Sequence, residues 1–312
     1  MPQPRPSAAR HRLPNFFVIG ANRAGTTSLY NYLSQHPAVF MSPIKEPNFF
    51  APVTWPDDPQ WPNRQEPVTE RTDYEALFAG VTQEVVVGES STAYLASKQT
   101  PALIHDAVPE AKLVAILRDP VERAFSDWSL HRSWNVENLS FADAVRAELA
   151  QTSATSGRLR GYVMGGFYGR HLSRYLELFD RSQVRICLYE DLDADPARML
   201  RDVFTFLDVD PSFDAITTAR HNASRHQPRS AAIDRAARAA RSSRFVRQIV
   251  PPSGRARVRE LLRRRNALVP ELPIEVRGQL IDVYRDDIEL TAQIIDRDLS
   301  AWLSVRPRGG AR

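Results

Sequence analysis

Apolar residues recur along the chain in two rhythms. Residues 16–19, 84–87, 113–117 and 184–188 are short runs, rich in β-branched or aromatic side chains and apolar at nearly every position. That pattern predicts strands covered on both faces. Between the runs, Val121, Ala124, Phe125 and Trp128 fall at i, i+3, i+4 and i+7. Leu172, Tyr175, Leu176 and Phe179 repeat the spacing, as do Met199, Leu200, Val203, Phe206 and Leu207, so these segments predict helices with one apolar face. Strands alternating with helices imply right-handed crossovers and an α/β fold, a central, mainly parallel sheet flanked by helices, with ligands at the carboxyl ends of the strands. Residues 55–71, rich in Pro, Asp, Asn and Gln, read as a long surface loop. After about residue 230 the strand runs stop, and a helical C-terminal extension is expected, with helices around 258–268 and 273–299. There Arg235, Arg238, Arg241, Arg244 and Arg247 recur every third residue and Arg263, Arg264 and Arg265 follow, either a solvated face or a stripe for an anionic partner.

The turn after the first strand carries the first candidate chemistry. In Gly20-Ala21-Asn22-Arg23-Ala24-Gly25-Thr26-Thr27-Ser28 the glycines have the five-residue separation of a phosphate-binding P-loop. In such loops backbone N–H groups and a helix N-terminus converge on an anion. Triphosphate hydrolysis needs lysine directly after the second glycine; here that place holds Thr26, and the cation, Arg23, comes two residues before Gly25. The loop therefore suits one terminal phosphate beside a cation, or is a plain tight strand–helix turn. A second cation ends the third run, in Leu117-Arg118-Asp119-Pro120. Pro120 suits the first helical position, Asp119 the N-cap and Glu122 the third position of a capping box, with Ser126 on the polar side of the helix. Arg118 is then either a second phosphate ligand or a surface ion-pair partner, and Asp119 either a cap or a metal carboxylate.

Composition narrows the classes. With 312 residues, 43% hydrophobic and 25% charged, the chain can bury a large core and is neither disordered nor collagen-like. No apolar run approaches the ~20 residues of a membrane helix. Residues 1–14 contain arginines but no apolar h-region, and read as a disordered tail rather than a secretory signal. The single cysteine, Cys187, falls inside a strand run and reads as a buried inert thiol, so nothing demands an oxidising compartment and a cytoplasmic setting is expected. Against 37 Asp+Glu the 41 Lys+Arg give a mild positive balance that does not argue for nucleic acid. Lys45, Lys98 and Lys112 are the only lysines, a bias that fits a GC-rich bacterial source. No His, Cys and carboxylate cluster has metal-ligand spacing, so no metal is expected. Oligomeric state leaves no signal.

Together these residues resemble the sulfotransferases that use 3′-phosphoadenosine 5′-phosphosulfate (PAPS), and more closely the branch of heparan sulfate sulfotransferases and their bacterial relatives. The likeness rests on Gly20 to Leu29, Lys45-Glu46-Pro47-Asn48-Phe49-Phe50, Gly88 to Tyr94, and Arg118-Asp119-Pro120-Val121-Glu122-Arg123-Ala124-Phe125-Ser126. Phe167-Tyr168, Leu188-Tyr189-Glu190-Asp191-Leu192, Phe206-Leu207 and Asn222-Ala223-Ser224 extend it across residues 14–230. The resemblance implies a P-loop core over 15–230; the Arg-rich helical region 231–312, which the resemblance does not reach, is expected to pack on the same domain. It implies that Arg23, Ala24, Gly25, Thr26, Thr27 and Ser28 cradle the 5′-phosphosulfate, that Arg118 and Ser126 hold the 3′-phosphate, and that Arg229, in the loop 221–230, touches it too. It places the general base at Glu46, with Lys45 orienting the acceptor or the sulfuryl oxygens, Glu89 either supporting the site from behind or binding the acceptor, and Tyr94 on the acceptor side. Locally, Pro47 is expected to hold Glu46 extended, and Phe49 and Phe50 to desolvate its carboxylate. The family carries lysine where Arg23 stands, and a lysine after the glutamate of its Gly-Glu block where this chain has Ser90.

The implied reaction moves a sulfuryl group to a hydroxyl, less readily an amine, of a carbohydrate, glycolipid or secondary-metabolite acceptor. The product is 3′,5′-adenosine bisphosphate, and neither metal nor nucleic acid takes part. A histidine base is the rival, from His105 or His131, both expected on helix surfaces. Two other readings stay open. One is a P-loop kinase or NTPase using Mg²⁺ and ATP, the other a non-catalytic module binding an acidic partner through its arginines.

Overall fold

A computed structural model describes residues 13–51, 66–134, 136–150, 161–217, 227–228, 267–268 and 270–305. In chain order the elements are β1 (Phe16–Gly20), α1 (Thr26–Leu33), β2 (Val39–Met41), α2 (Arg71–Ala76), β3 (Val86–Ser90), α3 (Thr100–Ala107), β4 (Lys112–Leu117), α4 (Pro120–Ser133), α5 (Phe141–Ala150), α6 (Tyr168–Leu176), β5 (Val184–Leu188), α7 (Tyr189–Ala194), α8 (Pro196–Phe206), β6 (Gln227–Pro228), β7 (Ala267–Leu268) and α9 (Ile274–Ile295). Five strands form one wholly parallel sheet in the order β2-β3-β1-β4-β5. Every residue of β1 and β3 is buried, and so is every residue of β4 after Lys112, which is why their apolar runs do not alternate. Val18 lies level with Ser90 on one side and Val114 on the other, so Gly20, Ser90 and Leu117 end along one edge of the sheet.

Helix faces follow the expected periodicity. Val121, Ala124 and Trp128 of α4, Leu172 and Tyr175 of α6, and Met199, Leu200 and Val203 of α8 are buried in the core. Three differences from the sequence reading have physical causes. The second run forms its strand later, from Val86 to Ser90, because Glu84 turns its carboxylate back onto the backbone N–H groups of Thr82 and Gln83. Its carboxyl end, Glu89 and Ser90, is polar yet buried, which breaks an apolar pattern. The edge strand β2 has only three residues, too few for a periodic signal. The region after 230 is not helical throughout, since Ala267 and Leu268, expected in a helix, pair antiparallel with Gln227 and Pro228. Pairing between segments so distant in sequence leaves no local trace. Residues 1–12 and 229–266, with the tail and the Arg235–Arg265 stripe, lie outside the described residues.

Helix α9 turns Val276, Leu280, Ile281, Tyr284 and Ile288 inward and packs on α6 and α4. Its Asp287 carboxylate accepts the N–H groups of Gly169 and Arg170, each at 2.9 Å, so α9 caps the first turn of α6. Tyr284 Oη donates to the Val163 carbonyl at 2.8 Å. No helix among the described residues is long and apolar enough to cross a membrane.

Candidate active site

Three strand-end turns meet at the carboxyl edge of the sheet. After β1 the chain turns through Ala21, whose N–H bonds the Ile116 carbonyl of β4 at 2.7 Å, and enters α1 at Thr26. Gly25, the N-cap, sits at φ 95°, in the left-handed region that glycine adopts freely. A Cβ there would lie 2.7 Å from Leu192 Cδ2 and 3.2 Å from Tyr189 Cδ2, so α7 closes over the loop only because this residue has no side chain. No side chain caps α1 and no acidic residue stands in its first turn, so the helix brings no carboxylate of its own to its positive end. Ala24, Thr26 and Ser28 are buried, and Arg23 and Thr27 half-buried. Arg23, itself left-handed at φ 65°, donates from Nε to Ser126 Oγ at 3.1 Å. Asn22 Nδ2 bonds Asp127 Oδ1 at 3.1 Å, tying the loop to α4 a second time.

Arg118 follows β4 directly, beside this loop. Its Nη1 donates to the Arg23 carbonyl at 3.4 Å and its guanidinium lies over the Tyr189 ring at 4.9 Å. The two cations expected to meet separate phosphates thus share one corner with Ser126. Asp119 caps α4, accepting from the Val121 and Glu122 N–H groups. The second half of the capping box does not form. Glu122 turns away to Arg118 at 3.7 Å and to Arg277 of α9 at 3.2 Å. Burial pushes its carboxyl above the ordinary range, opposed by the charges of Arg118 and Arg277.

Across β3 lies a second group. Glu46 donates its N–H to the Ser90 carbonyl at 2.8 Å, while Asn48 Nδ2 holds the Glu46 carbonyl at 3.0 Å and the Asn48 N–H reaches Ser91 Oγ at 3.1 Å. These bonds hold Glu46 at φ 64° and Asn48 at φ 54°, so the extended backbone expected before Pro47 gives way to a left-handed turn pinned on the end of β3. The Glu46 carboxylate accepts from Lys45 Nζ at 2.6 Å and from Thr92 Oγ1 at 3.3 Å, with 36% of its side chain exposed. Phe49 stacks on Tyr74 at 4.2 Å, and Phe50 packs edge-on against Phe17, Tyr74 and Tyr94.

Those rings enclose Glu89, which is fully buried. Its Oε1 accepts from Tyr74 Oη and Tyr94 Oη, both at 2.7 Å, and its Oε2 accepts from Ser91 Oγ at 2.6 Å. Desolvation raises the Glu89 carboxyl above its ordinary value, and the hydroxyl bonds oppose the shift without cancelling it. Glu89 and Tyr94, expected on the acceptor side, have no exposed atoms and lie beneath the Glu46 turn as its support. His131 is not on a surface either: it is buried, with Nδ1 3.0 Å from Tyr162 Oη, whereas His105 is half-buried against Phe179. Arg229 lies outside the described residues.

Arg23, Arg118 and Ser126 therefore form one cluster, and Lys45 and Glu46 another along the same edge of the sheet. Tyr189 beneath Arg118, Thr92 on Glu46, Tyr74 on Glu89 and Arg277 on Glu122 were not foreseen. Only Tyr189 and Thr92 stand in blocks that signal their surroundings; Tyr74 and Arg277 have no local signature. Among the described residues no group of three or more His, Cys, Asp or Glu could hold a metal ion.

Comparison with known proteins bears on this geometry. The model of the Sulfotransferase family matches residues 14–214. Human bifunctional heparan sulfate N-deacetylase/N-sulfotransferase 3 is 30% identical over 220 residues, 67% of this chain and 24% of the relative. The Drosophila melanogaster bifunctional heparan sulfate N-deacetylase/N-sulfotransferase is 27% identical over 230 residues, 67% of this chain and 21% of its own. The chain thus spans about a quarter of the length of these curated relatives. A sulfotransferase crystal structure from Alicyclobacillus acidocaldarius superposes with a TM-score of 0.69 at 29% identity, covering 94% of this chain and all of the other. A match that takes in the P-loop turn, the Glu46 turn and the Arg118–Ser126 corner leaves one assignment: the chain belongs to the sulfotransferase family.

Proposed function

We propose that this protein transfers a sulfuryl group from PAPS to a hydroxyl or amine of a carbohydrate-type acceptor, with Glu46 as general base. The observation that carries the reading is the convergence of Arg23, Arg118 and Ser126 beside the uncapped N-terminus of α1, with Glu46 on the same edge of the sheet. Two phosphates on one nucleotide match two cations on adjoining turns, Arg118 bonding the Arg23 carbonyl, and backbone N–H groups at a helix start suit the 5′ end. Relatives named for heparan sulfate N-sulfotransfer support a sugar acceptor and raise the amine to equal standing with the hydroxyl.

In the proposed reaction the acceptor atom bonds sulfur as the bond from sulfur to the bridging phosphate oxygen breaks. The acceptor's proton passes to the Glu46 carboxylate, and the electron pair stays on the departing phosphate. Rate comes chiefly from alignment and from charge placed in advance. Arg23 and the α1 N–H groups meet the charge on the leaving group, while Lys45 and Thr92 orient the base. Arg23 is a planar fork where the family has lysine, so it meets the leaving group with a fixed pair of donors rather than a mobile point charge.

Calorimetric titration with 3′,5′-adenosine bisphosphate beside Mg²⁺-ATP tests the nucleotide half. Labelled sulfate transfer from PAPS to amino sugars and neutral sugars tests the acceptor half. Preference for the bisphosphate and label on sugar are expected; preference for Mg²⁺-ATP overturns the reading in favour of a kinase or NTPase.

A further inference from the structure

Arg277 lies beyond the residues matched by the family model, in α9, yet reaches the nucleotide corner. It is 2% exposed and divides its donors three ways. Nη2 bonds Asp119 Oδ2 at 2.7 Å, Nη1 bonds Glu122 Oε1 at 3.2 Å, and Nε bonds the Ser304 carbonyl at 2.9 Å. Its two carboxylate partners both follow Arg118 closely in sequence, and Glu122 pairs with Arg118 itself at 3.7 Å. The local charges decide what Arg118 is free to do. Arg118, Asp119 and Glu122 alone sum to one negative charge, a poor place for a phosphate. Arg277 brings the sum to zero and, at 3.2 Å, holds Glu122 more closely than Arg118 does at 3.7 Å, so Glu122 is shared between the two guanidinium groups rather than left to Arg118 alone.

Resting on the functional reading above, we infer that Arg277 is a positioning residue for the nucleotide site, neutralising Asp119 and Glu122 so that Arg118 is available to the 3′-phosphate. The same C-terminal segment ties the neighbouring turn. Trp302 Nε1 donates to Glu190 Oε1 at 3.0 Å, and Arg297 grips Asp191 with two bonds at 3.1 Å. Both anchors fix α7, whose Tyr189 ring underlies Arg118. The arginine fork suits this place because its three nitrogens reach three separate acceptors, whereas lysine carries its three donors on one nitrogen.

Titration calorimetry with 3′,5′-adenosine bisphosphate and with adenosine 5′-monophosphate, on the parent, Arg277→Gln, Glu122→Gln and the double variant, tests this. Arg277→Gln is expected to weaken the bisphosphate about tenfold or more, the effect of one uncompensated charge in a half-buried site, and to leave the monophosphate nearly unchanged. Adding Glu122→Gln is expected to restore much of the loss, a rescue that a purely structural role would not produce. Equal losses for both nucleotides, no loss, or no rescue overturn the inference. Should Arg277→Gln not fold, Glu122→Gln alone decides: the bisphosphate must bind more tightly than to the parent, and unchanged or weaker binding overturns the inference. A parent that binds no bisphosphate overturns the functional reading itself, and the role of Arg277 with it.

Discussion

Glu89 offers the most direct probe of the buried support. Its carboxylate accepts three hydroxyl bonds at 2.6–2.7 Å with no solvent contact. Glu89→Leu leaves Tyr74, Tyr94 and Ser91 facing an apolar group. At about 1–3 kcal/mol for each orphaned buried donor, the loss is about 3 kcal/mol or more, read as a fall in the urea midpoint. Glu89→Gln separates charge from shape. The amide oxygen keeps both tyrosine bonds, and the amide nitrogen donates to Ser91 Oγ. Because desolvation raises the Glu89 carboxyl, the folded parent holds its proton to a higher pH than the unfolded chain. That contribution to stability is complete below the ordinary glutamate value of about 4.3 and is lost as pH rises through the folded value. Glu89→Gln has no proton to lose, so stability measured from pH 4 to 8 shifts in its favour, by up to about 1.4 kcal/mol per pH unit within the window. Parallel pH profiles for parent and Glu89→Gln, or a Glu89→Leu midpoint equal to the parent's, refute the reasoning.

Four further outcomes follow from the same geometry. Glu46→Gln is expected to lower turnover about 10²–10⁴-fold while calorimetry shows unchanged binding of 3′,5′-adenosine bisphosphate. Arg118→Ala is expected to abolish the preference for nucleotides with a 3′-phosphate, measured as the ratio of dissociation constants with and without that group. Gly25→Ala is expected to cost about 2 kcal/mol or more in denaturant melts, from a left-handed alanine and the 2.7 Å approach to Leu192. Burial pushes the Cys187 thiol up to about 12, so iodoacetamide at neutral pH is expected to label it only after denaturation, as mass spectrometry would show.

The sheet was largely legible because strands buried on both faces announce themselves as unbroken apolar runs. The α4 start was legible for a different reason: Asp119 and Pro120 fix a helix terminus by local chemistry alone. What escaped was non-local. The Glu46 turn is left-handed because Ser90 and Ser91, more than forty positions away, bind its backbone, and the local preference imposed by Pro47 yields to those bonds. The contacts of Phe49 and Phe50 with Tyr74 and Tyr94 around Glu89 likewise join residues more than twenty positions apart and leave no local signal. Arg277 was indistinguishable from any polar helix residue until α9 was seen to cross α4.

The tie between α9 and the β4 turn has a consequence for how the molecule comes into being. Synthesis runs from the N-terminus, so the sheet and its acidic rim, Asp119, Glu122, Glu190 and Asp191, leave the ribosome before Arg277, Arg297 and Trp302 exist to bind them. A nascent chain halted before residue 274 carries those carboxylates without their C-terminal partners, and the corner around Arg118 is more negative than after α9 has docked. If Arg277 positions the site as inferred, the corner is completed late in translation, when α9 docks.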